Sequence, residues 1–391
     1  MADYTEDESY TMGSKDYGGY YTNKNESFLV FNWNELIPTL MVYGVTLVLG
    51  ITGNCLMIIT TFRYRRMLSV TNVFLSSLAS SDLLLILFCI PVKVAKLFSY
   101  TWEMGLFLCK TVHYMQNLSA ICSVLTLTAI SIERYYAIVH PMKAKYICTI
   151  SQAKKIILVI WIISIILAFP TLRVQIHYPV GINNEYVWCV RDWNNIPLWK
   201  FHEVYMLIVI LVVPFCIMTL SYSLICFEVW QLMERRSVMT SEQALTRNHS
   251  SIHDEQCKES LQLGNSDKLT RTRSTRDDTQ MVKQVIYMLI AVVVLFVICW
   301  TPLLVDNVLT AYNILPTERV GTLKYMLTTF HLLAYCNSCI NPIIYGFMSR
   351  SFRESFVRAL CCTSDKRTSK NSFTLRHISR NGSQTRSTLI R

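Results

Sequence analysis

The sequence has 391 residues, of which 52% are hydrophobic and only 16% are charged. Soluble domains carry about 25% charged residues on average, so this composition argues against a soluble protein. The net charge of +11 does not indicate nucleic acid as a partner, because the basic residues follow the ends of long apolar blocks.

Seven apolar blocks follow one another along the chain, each close to the roughly 20 residues that cross a bilayer as a helix. They span Leu36–Phe62, Val70–Leu97, Leu106–Val139, Gln152–Thr171, Trp199–Met233, Met281–Tyr312 and Gly321–Phe347. The two halves of the chain show no internal repeat, and the blocks leave no room for a separate soluble domain. We therefore predict an all-α membrane protein whose seven-transmembrane domain covers residues 36–347.

The charge distribution predicts which side of the membrane each end occupies. Basic residues cluster after the first block, between the third and fourth and after the seventh, at Arg63, Arg65, Arg66, Lys143, Lys145, Lys154, Lys155, Arg350, Arg353 and Arg358. Residues 1–35 instead carry seven acids and two lysines. By the positive-inside rule, this acidic tail is extracellular and the C-terminus is cytoplasmic, as in a multi-pass plasma-membrane protein.

Most of the 14 cysteines fall inside the blocks, where cysteine usually serves as a small buried hydrophobic residue. Only Cys109 and Cys189 fall on the extracellular side, where the oxidising environment favours a disulfide between them. Cys361 and Cys362 end an amphipathic stretch at residues 348–362. They are candidates for palmitoylation, although two ordinary reduced cysteines would fit the same position.

The segments outside the membrane have distinct patterns. Residues 174–178 and 186–190 are strand-like and flank a turn-rich sequence, which predicts a β-hairpin in the second extracellular loop. Residues from about 235 to 280 are polar and lack periodicity, so we expect a disordered third cytoplasmic loop. The tail at residues 363–391 is rich in Ser and Thr, as kinase substrates are. Asn25 begins an Asn-Glu-Ser glycosylation acceptor on the extracellular side.

Polar residues inside the apolar blocks are candidates for function, because a charge in hydrocarbon is costly. Asp82 lies in the middle of the second block, and the other blocks contain Asn54, Ser123, Asn337 and Asn341. If these residues face one interior point, their oxygen atoms form a cage that suits a small hard cation such as sodium. A structural polar network satisfied by water fits the same pattern equally well.

Two further motifs lie in the blocks. Glu133-Arg134-Tyr135 ends the third block at its cytoplasmic edge. The adjacent acid and base can neutralise each other there, but a snorkelling interfacial pair is also common at helix ends. Prolines kink helices and serve either packing or hinge motion; those inside the blocks are Pro91, Pro170, Pro214, Pro302 and Pro342.

Taken together, these residues resemble the rhodopsin-like (class A) G-protein-coupled receptors across nearly the whole membrane domain. The motifs appear in order as Gly53-Asn54, Leu78-Ala-Ser-Ser-Asp82, Trp102-Glu-Met-Gly105, Cys109, Glu133-Arg134-Tyr135, Trp161 and Pro170, Pro214 and Tyr222, Phe296-x-x-Cys299-Trp300-Thr301-Pro302, and Asn341-Pro342-Ile-Ile-Tyr345. One such motif occurs by chance, whereas the complete ordered set does not.

The resemblance implies roles for individual residues. Arg134 would meet a heterotrimeric G protein when the sixth helix swings outward, and Tyr222 and Tyr345 would support that open state. Trp300 would form the floor of a ligand pocket, with Pro302 as its kink. The resemblance also favours the sodium interpretation, with the ligands Asp82, Ser123, Asn337 and Asn341. Receptor kinases and arrestin would be further partners.

The pocket residues distinguish between the ligand classes of this family. Amine receptors carry an aspartate where this chain has Gln116, and opsins carry a lysine that binds retinal where it has Tyr335. Neither a monoamine nor retinal is therefore expected. The pocket is polar and aromatic, with Lys93, Gln116, Asn307, His331 and Tyr335 beside Trp300. It resembles the neuropeptide receptors, and residues 116–145 look closest to the receptors for thyrotropin-releasing hormone, neuromedin U, ghrelin and orexin.

The lysines of the second block predict the charge of the ligand. Lys93 is expected to face the pocket because Pro91 bends the helix, whereas Lys96 is expected to snorkel to the headgroups. An inward ammonium needs an anionic partner, and the nearest acids, Glu103 and Glu203, are expected at the outer rim. The peptide is therefore expected to supply an acidic side chain or a carboxylate.

Other functions fit the sequence less well. A class A receptor for a lipid tends to have a folded N-terminal cap, and residues 1–35 show no apolar pattern for one. A transporter usually has repeated halves or broken helices, and the sequence shows no repeat. A membrane enzyme would need a nucleophile or metal-ligand motif, which the sequence lacks, so no enzymatic activity is expected.

Overall fold

A computed structural model describes residues 33–99, 101–180, 186–250, 261–317, 319, 321–348 and 350–360. Long helices make up most of it, and each predicted block lies in one of them. Their bounds are α1 (Trp33–Arg63), α2 (Val70–Leu97), α3 (Gly105–Val139), α4 (Ile150–Val174), α5 (Ile196–Arg235, continuing as helix to Ser250), α6 (Leu261–Ala311) and α7 (Thr322–Met348). A short amphipathic helix, α8 (Arg350–Leu360), follows α7.

Six of these helices, α1 to α6, are long and apolar enough over the described residues to cross a membrane. The last one, α7, has 27 residues but is more polar, since it carries residues such as His331, Asn337 and Asn341. Large apolar side chains are exposed on the outside of the bundle, for example Leu158 and Ile166 on α4. Lipid tails would cover such a surface, so its exposure fits a protein that spans a bilayer.

The helices pack into a closed bundle with α3 at its centre. Helix α3 contacts α2, α4 and α5, while α7 contacts α1 and α6 and so closes the ring. The central position of α3 explains why its apolar residues are fully buried, as at Val112, Ile121, Val124 and Ile130. Side chains that point from α3 into the bundle therefore reach several other helices.

Capping residues fix where two of the helices begin. The side chain of Ser69 accepts a hydrogen bond from the backbone N–H of Asn72 at the start of α2, at 3.2 Å. Thr149 accepts one from the N–H of Gln152 at the start of α4, at 3.3 Å. Each cap satisfies a backbone donor that the helix itself leaves free. A short helix, Pro141–Ile147, connects α3 to α4.

Two of the helices contain a π-helical turn, which accommodates one residue more than an α-helical turn. In α2 this turn spans Leu85–Cys89, and in α5 it spans Ile208–Val212. The turn in α2 lies directly before Pro91. The orientation of Lys93 therefore follows from the π turn as well as from the proline to which the sequence prediction attributed it.

The β-hairpin predicted in the loop between α4 and α5 is present. Strand β1 (Gln175–Val180) pairs antiparallel with β2 (Tyr186–Arg191), and His177 lies opposite Cys189 in the register. Cys189 forms a disulfide with Cys109 at the start of α3, with 5.7 Å between the Cα atoms. The predicted disulfide is therefore confirmed, and it attaches the hairpin to the central helix.

The structure differs from the expectation for the third cytoplasmic loop. Helix α5 continues to Ser250 and α6 begins at Leu261, so helix covers most of residues 235–280. These residues include many good helix formers, such as Glu, Gln, Ala, Leu, Met and Arg, which favour helix even without an apolar face. The expectation rested on missing periodicity and gave too little weight to this propensity.

Candidate functional site

The outer half of the bundle brings two of the predicted pocket residues into direct contact. The hydroxyl of Tyr335 on α7 donates a hydrogen bond to Oε1 of Gln116 on α3, at 3.0 Å. Both side chains are buried, and the ring of Tyr335 packs edge-on against Tyr43 with 5.6 Å between centroids. This bond crosses the bundle between the central helix and the helix that closes the ring.

Trp300 lies deeper in the bundle on α6. Its side chain is buried, and its ring lies against that of Phe296 with 6.1 Å between centroids. Its indole N–H makes no hydrogen bond with the part of the chain that the structure describes. Pro302 follows within the same helix. Farther out on α6, Asn307 is half-buried, and no hydrogen bond joins it to the other predicted pocket residues within the described ranges.

A group of basic residues lies at the outer end of the pocket. Lys93 on α2 is half-buried and lies within electrostatic range of Lys96 and of Arg191 on β2. His331 on α7 and His113 on α3 lie within range of the same cations. The structure therefore brings Lys93 and His331 together as the sequence predicted, and it adds His113 and Arg191, which the sequence analysis did not identify.

Arg191 is held by a polar chain that runs from the hairpin into the bundle. Its Nε donates to Oε1 of Glu203 on α5 at 2.7 Å, and its Nη1 donates to Oε1 of Gln175 on β1. Glu203 also lies 3.2 Å from Nδ1 of the buried His202. Farther inside, Thr171 contacts both His202 and Asn117, at 3.3 and 2.9 Å. Glu203 was expected at the outer rim, but its side chain is buried.

A second buried ion pair joins α6 to the loop that follows it. Nη1 of Arg319 lies 2.6 Å from Oδ1 of Asp306, and both side chains are only 4% exposed. Thr310 accepts a further hydrogen bond from the same guanidinium. Partners 13 residues apart across a loop carry no periodic signal, and for this reason the sequence analysis missed the pair.

Of the other predicted sodium residues, Asn341 contacts Asp82 directly, while Ser123 and Asn337 are buried in the same bundle. Oδ2 of Asp82 accepts a hydrogen bond from Nδ2 of Asn341 at 2.9 Å, and Ser338 lies within hydrogen-bonding reach of the carboxylate. Asn337 is buried one turn before Asn341 on α7. Ser123 contacts Ser81, the neighbour of Asp82, with 2.9 Å between the hydroxyl oxygens.

The Oδ1 atom of Asp82 is buried and has no hydrogen-bond partner among the described residues. A carboxylate oxygen without a partner in such a place is costly. Oxygen atoms of the neighbouring residues are the ligand type that a small hard cation prefers. The residues present therefore fit a bound sodium ion. Asn54 does not complete this cage, since its Nδ2 donates to the backbone oxygens of Gly50 and Ser338, both at 2.9 Å.

At the cytoplasmic end, Glu133 and Arg134 form an ion pair. Nε and Nη2 of Arg134 donate to the two carboxylate oxygens of Glu133 at 2.6 and 2.5 Å, and Thr71 of α2 donates to the same carboxylate at 3.1 Å. The neighbouring Tyr135 is half-buried, and its hydroxyl lies 3.3 Å from Nε2 of His140. The arginine is therefore restrained by its neighbour in the chain.

The two tyrosines expected to support an open state are both buried near this end. Tyr222 lies on α5 and Tyr345 on α7. The ring of Tyr345 packs against Phe352 of α8 with 5.8 Å between centroids, while its hydroxyl has no hydrogen-bond partner in the described ranges. Neither tyrosine contacts Arg134, so this conformation leaves the arginine with Glu133. Asn25, Cys361 and Cys362 lie outside the described residues.

Comparison with known proteins gives consistent matches. Residues 53–345 match the 7 transmembrane receptor (rhodopsin family). The chain is 30% identical over 317 residues to the pyroglutamylated RF-amide peptide receptor of Rattus norvegicus, covering 80% of this chain and 67% of that one. It is 30% identical over 328 residues to the QRFP-like peptide receptor of Branchiostoma floridae, covering 83% and 77%. It is 31% identical over 354 residues to cholecystokinin receptor type A of Homo sapiens, covering 84% and 82%.

Proposed function

Because the chain belongs to the rhodopsin family of seven-transmembrane receptors, we propose that it binds an extracellular peptide and activates a heterotrimeric G protein. The observation that carries the peptide ligand is the agreement among its relatives. They are named as receptors for a pyroglutamylated RF-amide peptide, a QRFP-like peptide and cholecystokinin. Their similarity covers at least 80% of this chain, so it includes the outer half of the bundle that would hold the ligand.

The geometry supports a peptide over a small amine. Gln116 is neutral and is already bonded to Tyr335, so the central helix offers no carboxylate to an amine at that position. The basic and polar residues around the outer end come from α2, α3, α7 and the hairpin, which makes a wide site. A peptide has the length and the polar backbone to contact all of these elements at once.

Signalling in this proposal depends on Arg134. Ligand binding near Trp300 would favour a conformation in which α6 moves outward and Arg134 leaves Glu133 to meet the G protein. Such coupling needs no continuous chain of contacts between the two sites, because binding at either site shifts the same equilibrium between two conformations of the bundle. Receptor kinases and arrestin would then act on the Ser- and Thr-rich cytoplasmic segments.

The proposal includes an allosteric sodium ion at Asp82. The ligands would be Asp82, Ser123, Asn337 and Asn341, and the buried carboxylate oxygen of Asp82 that lacks a described partner supports the proposal. A bound cation would neutralise a charge that is otherwise costly to bury.

The proposal also places the receptor in the plasma membrane with the N-terminus outside. The disulfide at Cys109 and Cys189 supports this orientation, since disulfides persist in an oxidising exterior. The basic residues that follow α1 and α7 or connect α3 to α4 lie at the opposite end, as the positive-inside rule requires. The cytoplasmic end would then carry Arg134, α8 and the palmitoylation candidates Cys361 and Cys362, and the extracellular tail would carry the glycosylation candidate Asn25.

A screen of synthetic peptide libraries tests the proposal. Cells expressing the full chain are exposed to peptide pools while calcium and cyclic AMP are both recorded. We expect at least one pool to give a response that is absent from untransfected cells and from cells expressing Arg134→Ala at the same surface level. A response to lipid or amine pools together with silence toward every peptide pool would contradict the peptide ligand.

A further inference from the structure

Lys93 lies among other basic residues without an acid to balance it. The charged residues within its electrostatic range are Lys96 and Arg191, and His113 and His331 also lie in range. In the part of the chain that the structure describes, Lys93 makes no ion pair. An ammonium in a half-buried wall, surrounded by other cations, is costly unless an anion joins it or it gives up its proton.

Arg191 differs from Lys93 because its position is fixed. Glu203 accepts from its Nε at 2.7 Å and Gln175 accepts from its Nη1, so two side chains define the plane of the guanidinium. Its Nη2 makes no hydrogen bond with any described residue. Arg191 follows Cys189 by two positions, and the disulfide attaches this strand to α3. The open edge of the guanidinium is therefore presented by a rigid support.

Three acids of the outer half are already paired within the described ranges. Glu203 is bound by Arg191, Asp306 by Arg319 and Glu35 by Lys324. None of them is within electrostatic range of Lys93. These three acids therefore do not balance the charge of Lys93, and an anionic group of a molecule that enters the pocket can do so.

We propose that Lys93 of α2 and Arg191 of β2 together form a subsite for an anionic group of the ligand. This inference rests on the proposed peptide-receptor function and deepens it by naming the chemistry of the ligand. A carboxylate suits a pair of cations, because each of its two oxygens can accept a charge-assisted hydrogen bond from an ammonium or a guanidinium. The anion is either an acidic side chain or a free C-terminal carboxylate.

Positional-scanning peptide libraries test the subsite with defined probes. One position at a time is fixed as Asp, Asn or Lys, and every pool is made with a free and with an amidated C-terminus. Calcium and cyclic AMP responses of intact cells give the potency of each pool. A preference for Asp over Asn at one position assigns the anion to a side chain. A preference for the free over the amidated terminus assigns it to the C-terminal carboxylate.

Receptor variants then connect the preference to the two residues. Lys93→Gln and Arg191→Gln should each weaken the preferred anionic pool about 30-fold or more, which is the usual effect of removing one member of a desolvated charge pair. The matched control is Lys96→Gln, whose side chain is exposed. It should change potency by less than about 5-fold, as exposed charges do. Lys93→Glu should transfer the preference from the Asp pools to the Lys pools.

The outcomes separate this inference from the function on which it rests. Peptide pools that activate the receptor equally with Asp and Asn, and equally with free and amidated termini, overturn the anion subsite and leave the peptide receptor standing. An anion preference that both Lys93→Gln and Arg191→Gln preserve overturns the assignment to these residues. Surface staining establishes that each variant reaches the membrane. If no peptide pool activates the wild-type chain, the proposed function and the subsite fail together.

Discussion

At the scale of single residues, the carboxylate of Asp82 has a hydrogen-bond partner for only one of its two oxygens among the described residues. Asn341 satisfies Oδ2, whereas Oδ1 is buried without a described partner. The hydroxyl of Ser123 is shared with Ser81, so it can turn toward the carboxylate only by giving up that contact. Binding of a cation at an unpaired acceptor in the middle of a packed bundle therefore changes the stability of the folded protein.

Replacing Asp82 by Asn should remove the effect of sodium on stability. A cation that binds only the folded protein stabilises it by about 2.7 kcal/mol at a concentration of 100 times its Kd. We therefore expect the melting temperature of the purified wild-type receptor to be higher in sodium chloride than in choline chloride at equal ionic strength. Asp82→Asn should melt at the same temperature in both salts.

Asp306→Asn provides the control for this experiment, because it also removes a buried carboxylate but one that Arg319 already binds. This variant should have a lower melting temperature than wild type in both salts. Its melting temperature should still be higher in sodium chloride than in choline chloride. If sodium chloride raises the melting temperature of Asp82→Asn as much as it raises that of wild type, the ion binds elsewhere or the rise is a general salt effect.

Between elements, two glycines of α1 determine how closely it approaches α7 and α2. A Cβ atom added at Gly53 would lie 2.6 Å from Cβ and 2.9 Å from Cγ of Pro342. A Cβ added at Gly50 would lie 2.3 Å from Cδ1 of Ile86. The ring of Pro342 is rigid, so it cannot move aside as the end of a flexible side chain can. The two helices therefore approach closely at Gly53 because that residue has no side chain.

Gly53→Ala should destabilise the packing of α1 against α7. Overpacking of a close contact typically costs about 1–3 kcal/mol, which exceeds the gain of about 1 kcal/mol from replacing Gly by Ala in a helix. The matched control is Gly44→Ala on the same helix, where an added Cβ meets nothing within 4 Å. Thermal unfolding of the purified variants should show a lower midpoint for Gly53→Ala than for wild type, and an unchanged or higher one for Gly44→Ala. Equal midpoints for the two variants would contradict the close contact.

Across the whole molecule, the proposed ligand pocket and the proposed G-protein site lie at opposite ends of one bundle. The pocket side is held by the bond between Gln116 and Tyr335, and the cytoplasmic side by the pair of Glu133 with Arg134. Trp300 and Phe296 occupy the core between them. Since no residue belongs to both ends, a substitution at one end should alter one activity and spare the other.

Arg134→Ala should keep ligand binding and lose G-protein activation. The peptide identified in the library screen is labelled and its binding measured on membranes, together with nucleotide exchange on added G protein. Binding should stay within about 5-fold of wild type, the lower end of the effects typical of allosteric coupling, while stimulated exchange falls to background. Arg63→Ala, another arginine at the cytoplasmic end, serves as the control and should keep both. Loss of binding with proportionate signalling in Arg134→Ala would count against this division.

Much of this architecture could be predicted from the sequence because bilayers impose simple patterns. The seven blocks, the hairpin and the disulfide of Cys109 with Cys189 followed from apolar length, turn residues and orientation, and they are confirmed. The peptide-receptor class is likewise confirmed by the relatives. The narrower resemblance to the receptors for thyrotropin-releasing hormone, neuromedin U, ghrelin and orexin stays a prediction.

The features that the sequence analysis missed all depend on tertiary contacts or on small changes of helix geometry. The ion pair of Arg191 with Glu203 joins a strand to a helix, and the spacing of the two residues in the sequence does not predict it. The π turn of α2 has an apolar sequence like the rest of its block, so periodicity over so short a stretch could not reveal it. The sodium cage and the ligand contacts stay predictions as well, since they require molecules other than this chain.

The π turn at Leu85–Cys89 has a consequence for how such receptors change over generations. One residue corresponds to about 100° of rotation around a helix axis. A gene that lost a single codon within this stretch would encode a regular helix, and every residue beyond it, Lys93 included, would keep its direction, because the π turn had absorbed the extra residue. The inward half of α2 with Asp82 would keep its place. This stretch of α2 can therefore lose one residue with Lys93 still facing the same neighbours, whereas the same deletion in a regular turn would rotate Lys93 by about 100°.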